Sequence, residues 1–296
     1  MRFDADSLGI PSASTRLMRD LVHEKLGLYF EENRFDQLAD RLAPLVVQRG
    51  FSSLLDYYYL LKYDAAGAAE WPRVMDALAV NETYFWREID QIRAITDVVV
   101  PALVDALRGE PLQIWSAPCA TGEEPLTIAM ALAEKGWFSR APIRIVGSDA
   151  SPAAIGRAAR GRYRERSFRN LPAPLRDRYF SRAGDEWEVS ADLHRRVEWD
   201  LVNLQDAQQV GRWASSPIVF CRNVFIYFSE ASIRRTVELF ARHMPEPGYL
   251  CVGASESLLR ITNSFELREI GGAFVYVRPG RTEDPVAVPA RQFGGR

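Results

Sequence analysis

Long apolar runs are absent from this sequence, and so is the pattern of a secretory signal. The longest apolar stretches, such as residues 94–107, are interrupted by Asp or Pro and are too short to span a bilayer. The N-terminal 15 residues do not combine a basic start with an apolar segment. We therefore expect neither membrane insertion nor secretion.

Cysteine and histidine are scarce, with three of each in 296 residues. Cys119, Cys221 and Cys251 lie in apolar surroundings near predicted strand ends, and their spacing is not that of a metal site. An odd number of cysteines fits buried thiols in a reducing cytoplasm better than it fits disulfides. The sequence thus predicts a cytoplasmic protein without a bound metal.

A marked excess of positive charge is also missing, since 37 basic residues stand against 39 acidic ones. Such a chain has no phosphate-tracking surface as a whole, and no base-flipping motif of the NPPY or DPPY type occurs. We predict no nucleic-acid partner. The apolar fraction of 47% is that of an ordinary globular protein, and the length suits one large domain or two modest ones.

The N-terminal part of the chain has helical patterns and no strand pattern. Apolar residues recur three and four positions apart in four segments, namely residues 15–30, 33–50, 51–64 and 70–80. Asn33 is a candidate cap of the second helix, and one of the serines at 52 and 53 is a candidate cap of the third. We predict a small helical domain over residues 1–80, of which about the first 15 are loose.

From about residue 111 the pattern changes to short strands alternating with helices. The strand-like segments are residues 112–117, 143–149, 196–203, 217–223 and 248–255, followed by a hairpin over 264–279. This order predicts an α/β domain with a mostly parallel sheet covered by helices on both faces. The tail, residues 281–296, is rich in Pro, Gly and Arg without periodicity and is expected to be disordered.

Polar side chains follow the predicted strands at the edge where such sheets bind ligands. The turn after the first strand contains Gly122 with Glu123 and Glu124, and the second strand ends in Asp149. A carboxylate in this place accepts hydrogen bonds from ribose hydroxyls, whereas acidic groups in the turn would repel a pyrophosphate. A cationic nucleoside such as S-adenosylmethionine suits the arrangement.

Simpler interpretations of the same residues stay open at this point. Glutamates at a helix N-terminus complement the helix dipole without any ligand. Asp149 would also suit the start of the helix that follows it, and Arg222 and Asn223 would suit a turn after the fourth strand. The order of these residues along successive strand ends favours a nucleoside site.

Four segments, residues 80–88, 114–132, 146–163 and 218–230, resemble the CheR-type chemotaxis protein methyltransferases. The resemblance extends from about residue 15 to residue 278. It implies a class I, Rossmann-like S-adenosylmethionine methyltransferase domain with a small all-helical N-terminal domain and a small inserted β-subdomain. We accordingly expect a linker and the start of the catalytic domain at 81–110, the methyltransferase domain at 111–280, and the β-subdomain at about 178–197.

The same resemblance implies the reaction and its residues. Family members transfer a methyl group to glutamate side chains on the cytoplasmic helices of chemoreceptors. The implied cofactor contacts are Asn81, Thr83, Arg87, Glu124, Asp149, Asn203, Leu204, Arg222 and Asn223. Tyr227 is implied near the reacting methyl group, and Arg87 is the cation that orients the acceptor or a cofactor carboxylate. A glutamate is already an anion at neutral pH, with an ordinary pKa of ~4.3, so no strong base is needed and the three histidines are expected to be structural or exposed.

Two departures from the family pattern bear on the partner. The second helix, which docks acidic receptor segments in the family, offers Arg34, Arg41 and Arg49 among four acidic residues. The inserted β-subdomain is short and resembles that of members that do not hold a receptor tether peptide. Two alternatives therefore stay open: a CheR-like enzyme of a chemosensory pathway unrelated to motility, and a nucleoside-binding regulatory module without transferase activity. We expect a monomer.

Overall fold

Residues 11–280 and Val286 are described by a computed structural model, with the side chains of residues 11 and 12 excepted. The twelve α-helices of the described residues are α1 Pro11–Leu26, α2 Phe35–Gln48, α3 Leu54–Tyr63, α4 Trp71–Leu78, α5 Ile89–Ala94, α6 Val100–Leu107, α7 Glu123–Glu134, α8 Pro152–Arg160, α9 Ala173–Tyr179, α10 Ala191–His194, α11 Ala207–Trp213 and α12 Glu230–His243. The strands are β1 Leu112–Ser116, β2 Ile143–Asp149, β3 Arg162–Tyr163, β4 Phe180–Ala183, β5 Glu186–Val189, β6 Val197–Leu201, β7 Ile218–Phe220, β8 Gly248–Cys251, β9 Glu266–Ile270 and β10 Ala273–Arg278.

Helices α1 to α4 form the N-terminal unit around a core of its own. Met18, Leu38, Leu42 and Tyr57 are fully buried in it. The four predicted helices are present, but α1 begins at Pro11, inside the segment we expected to be loose. The predicted disorder of residues 281–296 falls outside the described residues, with the exception of Val286.

The two predicted caps have different outcomes. The Ser53 hydroxyl accepts a hydrogen bond from the backbone N–H of Asp56, so the predicted cap of α3 is confirmed. Asn33 does not cap α2, because it lies within a short 3₁₀ turn, Glu32–Arg34, that leads directly into the helix. The prediction for Asn33 was therefore wrong, because a preceding 3₁₀ turn takes the place of the side-chain cap.

The main sheet has seven strands in the order β6-β2-β1-β7-β8-β10-β9. Strands β6, β2, β1, β7 and β8 are parallel, whereas β10 is antiparallel to both β8 and β9. The predicted mostly parallel sheet and C-terminal hairpin are thus confirmed. The strand order reverses between β1 and β7, which is the point where ligands bind in open α/β sheets.

Helices cover both faces of the sheet. Successive side chains of β1 point to opposite faces and therefore pack in two different cores. Ile114 packs in a core with α5, α6 and α7, and Trp115 packs in the other core with α11 and α12. The ring of Trp115 meets that of Phe240 edge-on, with 5.7 Å between their centroids. No helix within residues 11–280 is both long and apolar enough to cross a bilayer.

A second, small sheet consists of β3, β5 and β4, with β5 in the centre. The turn between β4 and β5 contains Gly184 at a φ of 66°, a conformation that favours glycine. The aromatic rings of Phe85, Phe168 and Phe180 lie about edge-on or tilted to one another at 4.9–5.1 Å and anchor this sheet. Its strands therefore extend further toward the N-terminus, to Arg162, than the segment in which we predicted a β-subdomain.

Backbone and side-chain hydrogen bonds join the helical unit to the sheet-containing unit. Leu28 and Phe228 form an antiparallel bridge, and the N–H of Tyr29 donates to the carbonyl of Tyr227 at 2.9 Å. The Asn203 amide donates to the carbonyl of Lys25 at 2.7 Å. These bonds fix the helical unit over the carboxyl ends of the parallel strands.

Candidate functional site

A cleft lies between the helical unit and the carboxyl ends of β1, β2, β6 and β7. Its lining includes Arg34, Arg41, Asn81, Thr83, Tyr84, Arg87, Ala120, Glu124, Asp149, Asn203, Leu204, Arg222, Asn223 and Tyr227. Every residue that the resemblance assigns to the cofactor or the reacting methyl group therefore lines the same cleft. Their assigned roles remain predictions.

The turn between β1 and α7 packs closely against Trp199 of β6 and Ala158 of α8. Gly122 has a φ of 94°, and a Cβ atom there would come within 2.8 Å of the Trp199 ring and 2.9 Å of the Ala158 methyl group. Ala120 also has a positive φ, of 48°, which is uncommon for a residue with a side chain. The turn thus needs glycine at position 122 and holds a strained residue beside the cleft.

The two adjacent glutamates of this turn have different environments. Glu123 is 2% exposed, and its carboxylate accepts hydrogen bonds from Thr121 at 2.6 Å and Ser167 at 3.0 Å. Burial raises the pKa of Glu123. Its carboxylate therefore links the turn to the segment before the small sheet, and of the pair only Glu124 lines the cleft.

Glu124 is the anion of a nearly buried ion pair with Arg222. Its Oε1 accepts a hydrogen bond from Ser116 at 2.7 Å, and its Oε2 lies 3.3 Å from Nε of Arg222. Burial raises the pKa of Glu124, and the charge of Arg222 opposes this. The pair thus places one carboxylate and one guanidinium at the switch point of the sheet.

Arg222 is almost completely enclosed, with 1% of its side chain exposed. Its Nη2 donates to the carbonyl of Arg87 at 2.8 Å and lies 3.5 Å from the Glu88 carboxylate. Nε and Nη1 make no hydrogen bond, although Nε is within ion-pair distance of Glu124. Because buried N–H groups nearly always have partners, these two donors fit a site whose ligand supplies further acceptors.

Asp149 ends β2 with its carboxylate 6% exposed at the cleft. One oxygen accepts from the N–H of Ala120 and the other from the N–H of Ser151, both at 2.9 Å. Burial raises the pKa of Asp149, and these backbone donors oppose that effect. The helix α8 is capped by the Ser151 hydroxyl instead, so the simpler interpretation of Asp149 as a cap is excluded.

The linker residues approach the cleft from the side of the helical unit. Nη1 of Arg87 donates to the carbonyl of Glu82 at 2.9 Å, and its guanidinium lies 5.5 Å from the centre of the Tyr84 ring. A quarter of the Arg87 side chain, 26%, is exposed. Its terminal nitrogens are thus only partly used by the protein, whereas Asn81 and Thr83 contribute polar groups next to it.

The residues after β6 and β7 bring the last polar groups to the cleft. Asn203 holds α1 through Lys25 and also accepts from the N–H of Gln205 at 3.0 Å. Asn223 has a φ of 60°, and its amide donates to Glu88 at 3.3 Å. Tyr227 lies in the short 3₁₀ turn that follows, Phe225–Tyr227.

Glu256 was not singled out from the sequence, although it is a central acceptor behind this part of the cleft. Its carboxylate accepts backbone N–H groups of Gly253 at 2.7 Å, Asn223 at 2.8 Å and Phe225 at 2.7 Å. A Cβ atom at position 253 would lie 2.9 Å from this carboxylate. The available signal was the Gly-Ala-Ser-Glu sequence after β8, whose small residues allow the close approach.

The three arginines predicted for substrate docking are not equivalent. Arg34 and Arg41 line the cleft, and Nη1 of Arg41 donates to the carbonyl of Leu78 at 2.8 Å. Arg49 lies away from the cleft lining, and its guanidinium pairs with the fully buried Glu70. The structure therefore gives Arg49 an internal partner that the sequence did not reveal.

The three histidines lie outside the cleft lining. His23 contacts the Ser229 hydroxyl at 2.7 Å, and His194 contacts the carbonyl of Ala158 at 3.0 Å. His243 packs near Gly211. No imidazole is therefore placed to act as a base on a ligand in the cleft.

Comparisons with known proteins agree with this architecture. The family model "CheR methyltransferase, SAM binding domain" matches residues 81–273, and "CheR methyltransferase, all-alpha domain" matches residues 14–79. Chemotaxis protein methyltransferase 2 of Vibrio cholerae is 34% identical, over 88% of this chain and 91% of that protein. Chemotaxis protein methyltransferase 1 of Pseudomonas aeruginosa is 31% identical, over 90% of this chain and 97% of that protein.

A further relative is named for a different role. The probable biofilm formation methyltransferase WspC of Pseudomonas putida is 28% identical, over 93% of this chain and 64% of that longer protein. The family models and the relatives confirm the predicted family, fold class and cofactor. The chain belongs to the CheR methyltransferase family and is a methyltransferase that uses S-adenosylmethionine.

Proposed function

We propose that this enzyme methylates glutamate side chains on the cytoplasmic helices of chemoreceptors and produces glutamate methyl esters. The observation that carries the proposal is the cleft itself, whose lining combines a buried ion pair of the sheet edge, Glu124 with Arg222, with two arginines of the helical unit, Arg34 and Arg41. Carboxylates on the sheet side suit a cationic cofactor, and guanidinium groups on the other side suit an anionic acceptor.

The residues of the sheet edge fit the cofactor. Asp149 has acceptor capacity left on both oxygens for ribose hydroxyls, because each oxygen receives one backbone N–H. We assign Glu124 to the ammonium group, and we assign the Nε and Nη1 donors of Arg222, which make no hydrogen bond within the protein, to a ligand oxygen. We assign Asn81, Thr83, Arg87, Asn203, Leu204 and Asn223 to the remaining contacts. When bound, S-adenosylmethionine supplies an electrophilic methyl group on a sulfonium.

The protein's part in the reaction is to position the acceptor. A glutamate with an ordinary pKa of ~4.3 is already ionised at neutral pH, so no residue needs to remove a proton. Arg87, whose guanidinium is partly exposed in the cleft, aligns the carboxylate through its planar pair of donors. Tyr227 and the apolar lining around it exclude water from the reacting atoms.

The proposed acceptor and the free cysteines also bear on where the enzyme acts. We place the enzyme in the cytoplasm, since its acceptor would be there and its cysteines within residues 11–280 are free, buried thiols. We further propose that it acts as a monomer and binds no receptor tether peptide. The basis for the absence of a tether peptide is the short β4–β5 hairpin, which turns at Gly184.

The test is incubation of the purified enzyme with methyl-labelled S-adenosylmethionine and the purified cytoplasmic fragment of a chemoreceptor. Incorporation that is released as methanol by mild base, and that is lost when the acceptor glutamates are replaced by alanine, is the expected result. Label that resists base, or no label with a fragment that a known CheR enzyme methylates, would contradict the proposed reaction.

A further inference from the structure

Two surfaces near the cleft differ in how their charges are arranged. The first, formed by α2 and the turn before it, has two arginines in the cleft lining, Arg34 and Arg41. Its other charged residues are Glu31, Glu32, Asp36, Asp40 and Arg49. Arg49 is occupied by Glu70, and Arg41 is bound to a backbone carbonyl. Helix α2 therefore has no continuous basic surface to offer an acidic partner.

A second surface is basic. We call it the arginine lip, and it consists of Arg157, Arg160, Arg166 and Arg169, none of which is in the cleft lining. Between residues 157 and 169 the sequence has six arginines and one acidic residue, Glu165. Arg160, Arg166 and Arg169 are exposed, and Arg157 is half-buried. The local charge is thus strongly positive in a chain whose formal net charge is −2.

Contacts around the small sheet place Arg169 and the turn that contains Arg166 beside linker residues, some of which line the cleft. The guanidinium of Arg169 lies 3.7 Å from the centre of the Tyr84 ring, which itself lines the cleft. The carbonyl of Ser167 accepts the N–H of Phe85 at 2.8 Å, so the turn that contains Arg166 runs beside the linker.

Helix α8 joins the same surface from the other side. Burial raises the pKa of the Glu123 carboxyl, which accepts a hydrogen bond from Ser167, and the charge of Arg157 opposes this rise. Arg160 lies one helical turn after Arg157, and residues three apart are neighbours on a helix surface.

Three of the four lip arginines differ from the neighbouring arginines in lacking an ion-pair partner. Arg162, Arg164 and Arg178 each form an ion pair with a glutamate, Glu188, Glu186 and Glu134 respectively. Among residues 11–280, Arg157, Arg160 and Arg166 have no carboxylate within ion-pair distance. Arg169 has one exposed pair, with Glu82 at 3.6 Å. Uncompensated like charges repel one another, so a group of them beside a cleft is suited to an external anion.

We propose that the arginine lip is the docking surface for the acidic segment of the acceptor protein that surrounds the methylated glutamate. The inference rests on the proposed function and moves the docking contacts from α2 to the surface formed by α8 and the turn at residues 165–168. A segment that presents a glutamate to the cleft while bearing further carboxylates is complementary to three guanidinium groups without ion-pair partners on that surface. Long-range attraction of this kind accelerates encounter and is weakened by salt.

The experiment compares two triple variants with the same loss of charge. The lip variant is Arg157→Gln/Arg160→Gln/Arg166→Gln, and the control is Arg162→Gln/Arg164→Gln/Arg178→Gln, whose arginines are already paired. Initial rates of methyl transfer to a chemoreceptor cytoplasmic fragment are measured at about 50 mM and about 300 mM salt, two conditions that differ in screening length. Calorimetry with S-adenosylhomocysteine and thermal unfolding are run on the same samples.

We expect the lip variant to raise KM for the fragment about tenfold at low salt, since exposed charge pairs each contribute modestly and three are removed. Its kcat, its affinity for S-adenosylhomocysteine and its Tm should match those of the wild type. The control should raise KM less than threefold, and the salt dependence of KM should be steep in the wild type and shallow in the lip variant.

An unchanged KM for the lip variant, or an equal rise in both variants, would overturn the docking surface while leaving the proposed reaction intact. A titration that measures binding of the receptor fragment to the wild-type enzyme separates a failure of docking from a failure of the proposed reaction. Binding that depends on the lip without methyl transfer would leave docking standing and remove the proposed reaction. Neither binding nor transfer would remove both.

Discussion

At the scale of single residues, the adjacent carboxylates Glu123 and Glu124 show how environment separates chemically identical groups. Glu123 is enclosed and bound by two hydroxyl groups, whereas Glu124 faces the cleft beside Arg222. The first therefore contributes to the fold, and the second is available to a ligand. Sequence position alone gives no basis for this distinction, because both lie in the first turn of α7.

Replacing Glu124 by Gln should weaken S-adenosylhomocysteine binding about tenfold to a hundredfold, which corresponds to ~1.5–3 kcal/mol for a charge-assisted hydrogen bond. The amide removes one of the two carboxylates near Arg222, leaving Glu88, and offers a ligand ammonium no negative partner at this position. The matched control is Glu123→Gln, which should lower the Tm with little effect on affinity, because its partners are Thr121 and Ser167. Calorimetry and thermal unfolding on both variants distinguish the roles; equal losses of affinity would contradict them.

Arg87 is predicted to be needed for methyl transfer. Arg87→Ala should reduce turnover on a receptor fragment at least a hundredfold, and Arg87→Lys should restore little of it, because an ammonium cannot present two parallel donors to a carboxylate. If Arg87 aligns the acceptor, S-adenosylhomocysteine affinity survives in both variants. If it contacts the cofactor, affinity and turnover fall together. Near-normal ester formation by Arg87→Ala would exclude the residue from the mechanism.

At the scale of secondary-structure elements, the loops after β7 and β8 are held together by one acceptor, Glu256. Its oxygens accept hydrogen bonds from the backbone N–H groups of Asn223 and Phe225 in the loop after β7, and of Gly253 in the loop after β8. These two strands are parallel neighbours in the sheet. The left-handed conformation of Asn223 is thereby fixed, and with it the start of the turn that presents Tyr227.

Replacing Glu256 by Gln should destabilise the protein by ~1–3 kcal/mol, because the amide group has one acceptor oxygen and would leave a backbone donor unsatisfied. Turnover should fall as well, since Asn223 and Tyr227 lose their common support. The control is Glu230→Gln, an exposed residue paired with Arg234 on α12. Urea unfolding and methyl-transfer rates are the measurements, and wild-type values of both for Glu256→Gln would refute the role of this acceptor.

Predictability from the sequence also differs between elements. The seven strands of the main sheet were predicted because short β-branched and apolar runs at regular intervals are a strong pattern. The predicted cap at Asn33 was wrong, and α1 begins at Pro11, inside the segment of about 15 residues that was expected to be loose. Both differences depend on a 3₁₀ turn and on the packing of α1 against α3, which local patterns do not contain. Glu256 and the pairing of Arg49 with Glu70 were missed for the same reason, since their partners are distant in the sequence.

At the scale of the whole molecule, the cleft exists only while the helical unit is docked on the sheet-containing unit. The junction includes the Leu28–Phe228 bridge and the Asn203–Lys25 bond. Beside them, Nε2 of His23 lies 2.7 Å from the Ser229 hydroxyl and 3.0 Å from that of Ser232. The titratable imidazole of His23 therefore lies in the junction that holds the helical unit over the cleft.

Protonation of His23 is expected to weaken this junction. Burial lowers the pKa of His23 and Arg235 adds to the effect, whereas Asp20 opposes it. The unfolded chain, with an ordinary histidine pKa of ~6.5, therefore binds more protons than the native state between the native pKa and ~6.5. His23 thus contributes its full stabilisation above pH ~6.5, and the contribution is lost as the pH falls through the native pKa.

The comparison that tests this is between the wild type and His23→Gln, whose amide can still meet the Ser229 hydroxyl but does not titrate. The free energy of unfolding should fall more in the wild type than in the variant between about pH 8 and about pH 5.5, a range that spans the ordinary histidine pKa. The raised pKa values of the buried acids Glu123 and Asp149 act in the opposite direction. They are common to both proteins, however, and cancel in the difference. Equal losses in the two proteins would show that His23 does not couple the junction to pH.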